Sequence, residues 1–105
     1  MKILALEKEL PGHAADQYQP HLRSEAARVW ELYQAGLVRE AYFDQQRHTA
    51  VLVLECADRD AARQLLDSLP LVRAGLIDFD ISLLVPYDGF ARLFEQPPQS
   101  PLAKD

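Results

Sequence analysis

The stretch AGLVREAYFD, residues 35–44, decides the fold because a predicted helix ends in it and a predicted strand begins at once. Gly36 can take the left-handed backbone conformation that commonly follows the last turn of a helix. A shorter echo, AGLIDFD, occupies residues 74–80 and contains a second such glycine, Gly75. Two equivalent junctions between helix and strand predict a chain built from two similar halves.

Hydrophobic patterning predicts the elements around these junctions. Apolar residues alternate with polar ones in strands and recur every three or four positions in helices. The predicted strands span residues 2–8, 37–44, 49–55 and 76–85, and the predicted helices span residues 20–35 and 58–69. Asp58 is expected to cap the second helix and Pro70 to end it. In the first helix, Trp30 and Tyr33 fit an apolar stripe and are predicted to lie in the core.

The order strand, helix, strand, strand, helix, strand predicts an α+β fold, the ferredoxin-like βαββαβ arrangement with a four-stranded antiparallel sheet. Both helices should pack on one face of the sheet. The third strand, with VLVLE at residues 51–55, nevertheless looks apolar on both faces. We therefore expect a second copy to cover the other face in a homodimeric α/β barrel. An apolar cluster after the last strand should pack across the partner, and it consists of Tyr87, Phe90, Leu93 and Phe94.

Length and composition limit the classes of function. The chain has 105 residues and a formal net charge of −5, so one domain is expected and a nucleic-acid surface is not. No apolar run approaches the roughly 20 residues of a membrane span. The single cysteine, Cys56, fits a reducing compartment, so we expect a cytoplasmic protein. Residues 1–95 should form the domain, and the proline-rich residues 96–105 should be disordered.

Asp78 and Asp80 are candidates for catalysis because they lie two apart on a strand and therefore share a face. We expect that face to line the barrel, where a partly dry carboxylate can act as a general base or acid. The alternative is a wetted edge strand. His48 and His21 could each pair with a carboxylate across the sheet and orient a proton-transferring imidazole, although an exposed turn histidine is commoner. His48 joins the aspartates as a catalytic candidate, and His21 is a candidate for substrate binding.

Two residues of the second strand are candidates for holding a ligand. Arg39 could bind a substrate carboxylate through forked hydrogen bonds, or it could be a surface charge paired with a neighbouring glutamate. Tyr42 could form a wall of the cleft. The sequence has no histidine and cysteine cluster at zinc spacing and no glycine-rich phosphate loop, so we expect neither a metal nor a nucleotide cofactor.

Three segments carry a resemblance to a known family: Gly-Leu-Val-Arg at residues 36–39, the apolar strand at residues 51–55 and Leu-Pro-Leu-Val at residues 69–72. Together they resemble the muconolactone isomerase family of dimeric α/β barrel proteins. The resemblance extends from residue 2 to about residue 94. It implies a homodimer or higher oligomer that binds a small organic acid or lactone and transfers a proton without a cofactor.

The sequence departs from the pattern of that family at two places. The family's Trp-Arg pair on the second strand is matched here by Tyr42 and Phe43, and the His-Pro after its last strand is matched by Val85 and Pro86. A second class of function therefore stays open beside the isomerase-like enzyme. It is a non-catalytic ligand-binding or dimerisation module, whose uncovered sheet face serves only to join two copies.

Overall fold

The computed structural model describes residues 1–95, and the segment 96–105, which the sequence predicts to be disordered, lies outside the described residues. The strands are β1 (Lys2–Glu9), β2 (Val38–Phe43), β3 (Ala50–Glu55) and β4 (Ile77–Leu83), and the helices are α1 (Leu22–Gln34), α2 (Arg59–Asp67) and α3 (Pro70–Arg73). Short 3₁₀ turns occupy Ala15–Gln17, Gln19–His21 and Gly89–Leu93. Within this described part, every helix is too short or too polar to cross a membrane.

The four strands form one antiparallel sheet in the order β2-β3-β1-β4. This order confirms the predicted ferredoxin-like α+β fold, because the first and third strands lie in the middle and each half of the chain contributes one edge. Both glycine junctions have the expected geometry, with φ of 79° at Gly36 and 76° at Gly75. A residue with a Cβ atom rarely adopts such angles, so both halves turn from helix to strand in the same way.

The hydrophobic core lies between one face of the sheet and the helices. Every strand contributes a fully buried side chain to it, and so do α2 and the loop that follows α2. The largest of these side chains are Ile3, Val38, Leu54, Leu66, Leu69 and Ile77. Burying each one contributes roughly 1.5–3 kcal/mol to folding, so the contact between sheet and helices is the main source of stability.

The other face of the sheet, here called the open face, is covered by no helix among residues 1–95. By strand pairing it carries Leu4, Leu6, Lys8, Tyr42, Val51, Val53, Asp78 and Asp80. The side chains of Leu4, Val51 and Val53 are half-buried, whereas those of Leu6 and Tyr42 are exposed by 41% and 57%. The third strand is thus apolar on both faces, as the sequence predicts, and its outer side lies toward solvent in a single chain.

Trp30 and Tyr33 lie outside the core, so this part of the sequence prediction is wrong. Their side chains are exposed by 58% and 51%, and their rings stack on each other with centroids 5.7 Å apart. The line of α1 that turns inward holds Glu25, Val29 and Leu32, spaced by four and three residues. A search for apolar spacing passes over this line because it contains a glutamate. It selects the neighbouring line with Trp30 and Tyr33, one residue further along the helix.

Pro70 begins a helix, whereas the sequence indicates only that it ends one. It is the first residue of α3, where its missing N–H needs no partner. Asp58 caps α2 as predicted, because its carboxylate accepts the Ala61 N–H at 2.8 Å. The short helix α3 matters for the site described next, since the N–H of its second residue, Leu71, points to α1.

Candidate functional site

A row of side chains crosses the core-facing side of the sheet at the end nearest the β2–β3 loop, here called the hairpin end. Glu7 on β1 lies opposite Phe79 on β4. The pairing of β1 with β3, continued by one residue beyond Leu6 and Val51, places Glu7 opposite Ala50. Ala50 in turn pairs with Phe43 on β2. Phe79 is buried, whereas Phe43 is 61% exposed. The row therefore runs from a buried ring to an exposed ring, with a carboxylate and a small side chain between them.

Glu7 is a half-buried carboxylate in this row. The Ala50 N–H donates to its Oε1 at 2.7 Å. Burial raises the pKa of Glu7 above its ordinary value of 4.5, and the negative charge of Glu9 raises it further, while the Ala50 hydrogen bond and the positive charge of His48 lower it. Because the loss of water is the largest cause, Glu7 holds a proton more readily than an exposed glutamate does.

Glu25 approaches from the inward line of α1 and is also half-buried. The Leu71 N–H at the start of α3 donates to its Oε1 at 2.9 Å. Burial again raises the pKa above 4.5, the Leu71 hydrogen bond lowers it, the negative charge of Glu7 raises it and the positive charge of His21 lowers it. Because the charge of Glu7 is one of these causes, the pKa of Glu25 is linked to the ionisation of Glu7.

Glu7 and Glu25, here called the acid pair, share an unusual set of partners. One oxygen of each carboxylate accepts a backbone N–H, and among residues 1–95 the other oxygen accepts no hydrogen bond. Neither carboxylate forms an ion pair with a lysine or arginine of the described chain. Half-buried carboxylates with raised pKa values and a free oxygen are suited to take up and release protons.

His48 lies beside the acid pair on the loop between β2 and β3. Its backbone φ is 57°, which is uncommon for a residue other than glycine. Asp44 shapes this loop, since its carboxylate accepts the N–H groups of Gln46 and Arg47 at 3.1 and 2.7 Å and its carbonyl accepts the His48 N–H at 2.8 Å. The imidazole stacks on the Phe43 ring with centroids 4.0 Å apart. This loop therefore holds an imidazole close enough to influence the pKa of the acid pair.

His21 and Tyr18 complete the hairpin-end site, which we define as Glu7, Tyr18, His21, Glu25 and His48. His21 ends the 3₁₀ turn before α1, one helical turn from Glu25. The Tyr18 hydroxyl lies 3.3 Å from Glu9 Oε2 and 3.4 Å from the Leu76 carbonyl oxygen. Partial burial and the negative charge of Glu9 raise the pKa of Tyr18, so its hydroxyl keeps its proton.

The fold can now be compared with solved structures. Muconolactone isomerase superposes with a TM-score of 0.69 over 100% of this chain and 99% of its own, at 17% sequence identity. This chain has the fold of muconolactone isomerase. The 5-chloro-2-hydroxyhydroquinone dehydrochlorinase TftG from Burkholderia phenoliruptrix AC1100, solved with 2,5-dihydroxybenzoquinone, gives a TM-score of 0.68 at 14% identity over 85% of this chain and 98% of its own. No family model and no curated protein matches the sequence.

Within this muconolactone isomerase fold, Asp78 and Asp80 lie on the open face, away from the hairpin-end site. Arg63 from α2 reaches Asp78, with Nη2 2.9 Å from Oδ1. The Phe79 N–H and the Arg63 charge lower the pKa of Asp78. Lys8 pairs with the exposed Asp80, Nζ to Oδ1 at 3.0 Å. The structure thus separates the aspartates from His48, and their catalytic role stays a prediction.

Arg39 and Tyr42 are also apart from the hairpin-end site. Arg39 lies at a β-bulge between Val38 and Glu40, and its positive charge lowers the pKa of Glu55 at the other end of the sheet. The Tyr42 hydroxyl donates to Glu40 Oε1 at 2.7 Å on the exposed face. Of the six predicted site residues, His48 and His21 lie at the hairpin end, where the charge of His48 acts on Glu7 and that of His21 on Glu25, and the other four lie elsewhere.

The sequence interpretation missed Glu7 and Glu25. A signal for both is present, because each occupies a core-facing position of its element: Glu7 follows Ile3 and Ala5 on one side of β1, and Glu25 precedes Val29 on α1. A charged residue in an apolar register requires a reason, which is either a partner or a function.

Two surface grooves lie away from the acid pair. A groove of about 590 Å³ is lined by Met1, Arg28, Leu37, Glu55, Cys56, Ala57, Ala61, Gln64 and Leu65. A second groove of about 380 Å³ is lined by Arg59, Asp60, Arg63, Phe79, Asp80 and Ile81. Both are open to solvent, and each contains a paired carboxylate: Glu55 with the terminal amino group in the first and Asp80 with Lys8 in the second. The acid pair, which has no lysine or arginine partner in residues 1–95, therefore favours the hairpin end over these two grooves as the candidate site. No group of three or more histidine, cysteine or acidic side chains in residues 1–95 is placed to hold a metal ion.

Proposed function

We propose that this chain is a homodimeric, cofactor-free enzyme that moves a proton on a small organic molecule bound at the hairpin-end site. The observation that carries the proposal is the acid pair: two half-buried carboxylates with raised pKa values, beside two imidazoles and without a lysine or arginine partner in residues 1–95. Burial without a cationic partner is the arrangement that tunes a carboxyl group for acid–base work.

In the proposed reaction the acid pair shares one proton. Glu25 is assigned the role of the acid and Glu7 that of the base, because burial and then the negative charge of Glu7 raise the pKa of Glu25. Glu7 removes a proton from a carbon next to a carbonyl, and Glu25 gives a proton to a second carbon of the same molecule. One C–H bond breaks and another forms, so the reaction is an isomerisation that needs no oxidant. His48 and His21 carry protons between the pair and water.

Two fold neighbours support this choice of chemistry by their names. One is an isomerase, and the other is a dehydrochlorinase solved with a small cyclic diketone, 2,5-dihydroxybenzoquinone. By name, the first rearranges one small molecule and the second removes hydrogen chloride from another. The identities of 17% and 14% carry the fold alone, so the acid pair of this chain has to carry the argument about its reaction.

The decisive experiment is a turnover assay with matched substitutions. Small lactones and cyclic enones are first screened for thermal stabilisation of the full chain, and the stabilising compounds are then assayed for isomerisation. Glu25→Gln should reduce kcat by about 100-fold or more, and it should leave the fold intact because the amide oxygen can still accept the Leu71 N–H. Asp80→Asn is the control and should keep turnover within about twofold. Full activity in Glu25→Gln would reject the proposal.

The proposed homodimer is supported by apolar surface that a single chain leaves exposed. On the open face, Leu6 and Tyr42 are exposed beside the half-buried Val51 and Val53. In the segment after β4, five large apolar side chains are exposed by 65–85%: Val85, Tyr87, Phe90, Leu93 and Phe94. Soluble monomers rarely expose contiguous apolar surface of this kind, so a second copy is the simplest cover.

Sedimentation analysis tests the homodimer directly. The full chain should sediment as a dimer or larger oligomer at micromolar concentration, and Val53→Asp should shift it toward a folded monomer, because a charge replaces an apolar group at the centre of the open face. Ser82→Asp, nearer the sheet edge, is the matched control. A folded monomer of the unaltered chain would contradict the homodimer.

A second candidate function is a non-catalytic ligand-binding or dimerisation module. The observation that favours it is the openness of both measured grooves, neither of which includes the acid pair. In a homodimer the open face would enclose Asp78, Asp80 and Tyr42, and a ligand could bind there instead. Loss of turnover or of ligand stabilisation in Asp80→Asn, with Glu25→Gln unaffected, would favour this position.

The proposed cellular setting is the cytoplasm. It rests on Cys56, which is free and buried, since a lone unpaired thiol suits a reducing compartment. Cell fractionation of the native protein would test this proposal.

A further inference from the structure

The charges around the hairpin-end site are predominantly negative. Glu7, Glu9 and Glu25 bring three carboxylates to it, and none of them forms an ion pair with a lysine or arginine of residues 1–95. The positive charges that act on the acid pair come from the imidazoles of His48 and His21. The site therefore lacks a permanent cation that could hold the carboxylate of a ligand.

Two basic residues lie away from the acid pair. Arg39, the anion-binding candidate from the sequence, is near the start of β2, at the end of the sheet away from the hairpin. Lys8 follows Glu7 along β1 but points to the open face, where it pairs with Asp80 at 3.0 Å. Alternation along β1 thus directs the carboxylate of residue 7 to one side of the sheet and the ammonium of residue 8 to the other.

The surface beside the acid pair is aromatic and flat. Phe43 and His48 stack with an angle of 19° between their planes, and Phe43 remains 61% exposed. Ala50 separates Phe43 from Glu7 and contributes only a methyl group. The ring of a ligand can lie over Ala50 and contact Phe43 on one side. Its polar substituents can then point to the carboxylate oxygens of the acid pair that accept no hydrogen bond.

We infer that the hairpin-end site binds an uncharged, flat ring that carries hydroxyl or carbonyl groups, and that it rejects ligands bearing a carboxylate. This inference rests on the proposed function and gives its substrate class. A hydroxyl of the ligand can donate to a carboxylate of the acid pair, whereas a carboxylate there meets charges of its own sign in a partly dry setting, where repulsion is stronger than in water. The organic acid expected from the sequence is therefore replaced by a neutral phenol, hydroquinone or enol lactone.

A matched ligand pair tests the inference. Methyl 2,5-dihydroxybenzoate and 2,5-dihydroxybenzoate differ at pH 7 only in the ester that masks the charge. Titrations of the full chain should show that the ester binds at least about tenfold more tightly. The amide signals of Ala50 and Leu71 in NMR spectra should move with the ester, because these N–H groups donate to the acid pair. In Glu7→Gln the preference for the ester should shrink, since the carboxylate that acts as the base is gone while an amide oxygen can still accept the Ala50 N–H.

The outcomes separate this inference from the proposed function. If the acid binds as tightly as the ester or more tightly and moves the same two amide signals, the hairpin end is a binding site but the inference about charge is wrong. If neither compound moves those signals at millimolar concentration, both the inference and the proposed function fail. Arg47→Gln serves as a control for the arginine next to His48 in the loop, and an acid that loses affinity in this variant would show that Arg47 supplies the missing cation and would overturn the inference.

Discussion

Two pairs of carboxylates, placed on opposite faces of one sheet, have acquired opposite properties. The acid pair lies on the helix-covered side of the sheet, with Glu7 on β1 and Glu25 on α1, and both carboxylates are half-buried with raised pKa values. Asp78 and Asp80 face away, and each is reached by a cation, Arg63 for the first and Lys8 for the second. The difference shows that the pKa of a carboxylate depends on its burial and on the groups that the fold places around it. Its spacing along a strand does not determine the pKa.

The largest expected effect tests whether the two faces of the sheet differ in packing. It concerns Phe79, which lies opposite Glu7. Phe79→Ala should destabilise the fold by roughly 3–5 kcal/mol, because it removes a buried ring and leaves a cavity. Ser82→Ala, on the other face of the same strand, should change stability by less than about 0.5 kcal/mol. Urea denaturation measures both. Similar losses for the two variants would mean that the two faces of β4 are equally packed.

A smaller effect should separate the structural role of Glu25 from its proposed chemical role. Glu25→Ala leaves the half-buried Leu71 N–H without an acceptor and should cost about 1–3 kcal/mol, whereas Glu25→Gln retains an acceptor and should cost less. Denaturation curves and hydrogen exchange at the Leu71 amide provide the measurements. Rapid exchange in the alanine variant alone is the expected pattern, and equal exchange in both would remove the structural role.

The smallest effect is a difference in the pH dependence of stability. Glu25 has a raised pKa in the folded chain, so its stabilising contribution is present below its ordinary value of 4.5 and is lost as the pH rises through the folded pKa. Asp78 has a lowered pKa, so its contribution is present above its ordinary value of 3.8 and is lost as the pH falls through the folded pKa.

Unfolding free energies measured between pH 3 and pH 7 should therefore change in opposite directions. Relative to the unaltered chain, Glu25→Gln should gain stability as the pH rises, and Asp78→Asn should gain stability as the pH falls. Because the side chain of Asp78 is 40% exposed, its contribution should stay below about 1 kcal/mol. Slopes of the same sign in the two variants would show that the faces of the sheet do not differ as described.

Much of the fold follows from the sequence, because the signals that define it are local. Gly36 and Gly75 mark the two junctions, and period-two alternation defines the strands. The inward line of α1 was harder to predict, since Glu25 interrupts it and Trp30 gives a neighbouring line an apolar appearance. Pairing partners from distant elements, such as Arg63 for Asp78, have no local signal at all.

The candidate site shows the same limit more strongly. His48 and His21 could be chosen by residue type, but their meeting at one end of the sheet depends on how β1, α1 and the hairpin pack together. Glu7 and Glu25 have the spacing of core residues and the chemistry of surface residues. Their pKa values depend on burial and on backbone N–H groups from Ala50 and Leu71, which become known only with the tertiary structure.

The groove beside β4 has a consequence for aggregation. Arg59 donates to the Ile81 carbonyl oxygen at 3.2 Å, and the Asp78 carboxylate accepts the Phe79 N–H at 2.8 Å. Side chains of the same molecule thus occupy main-chain groups that an incoming strand would need. A fibre built by edge-to-edge pairing of sheets needs unpaired backbone groups on both edge strands of each molecule. Because the β4 edge is occupied, such a fibre cannot grow without limit. Assembly into a closed oligomer through other surfaces remains open to the chain.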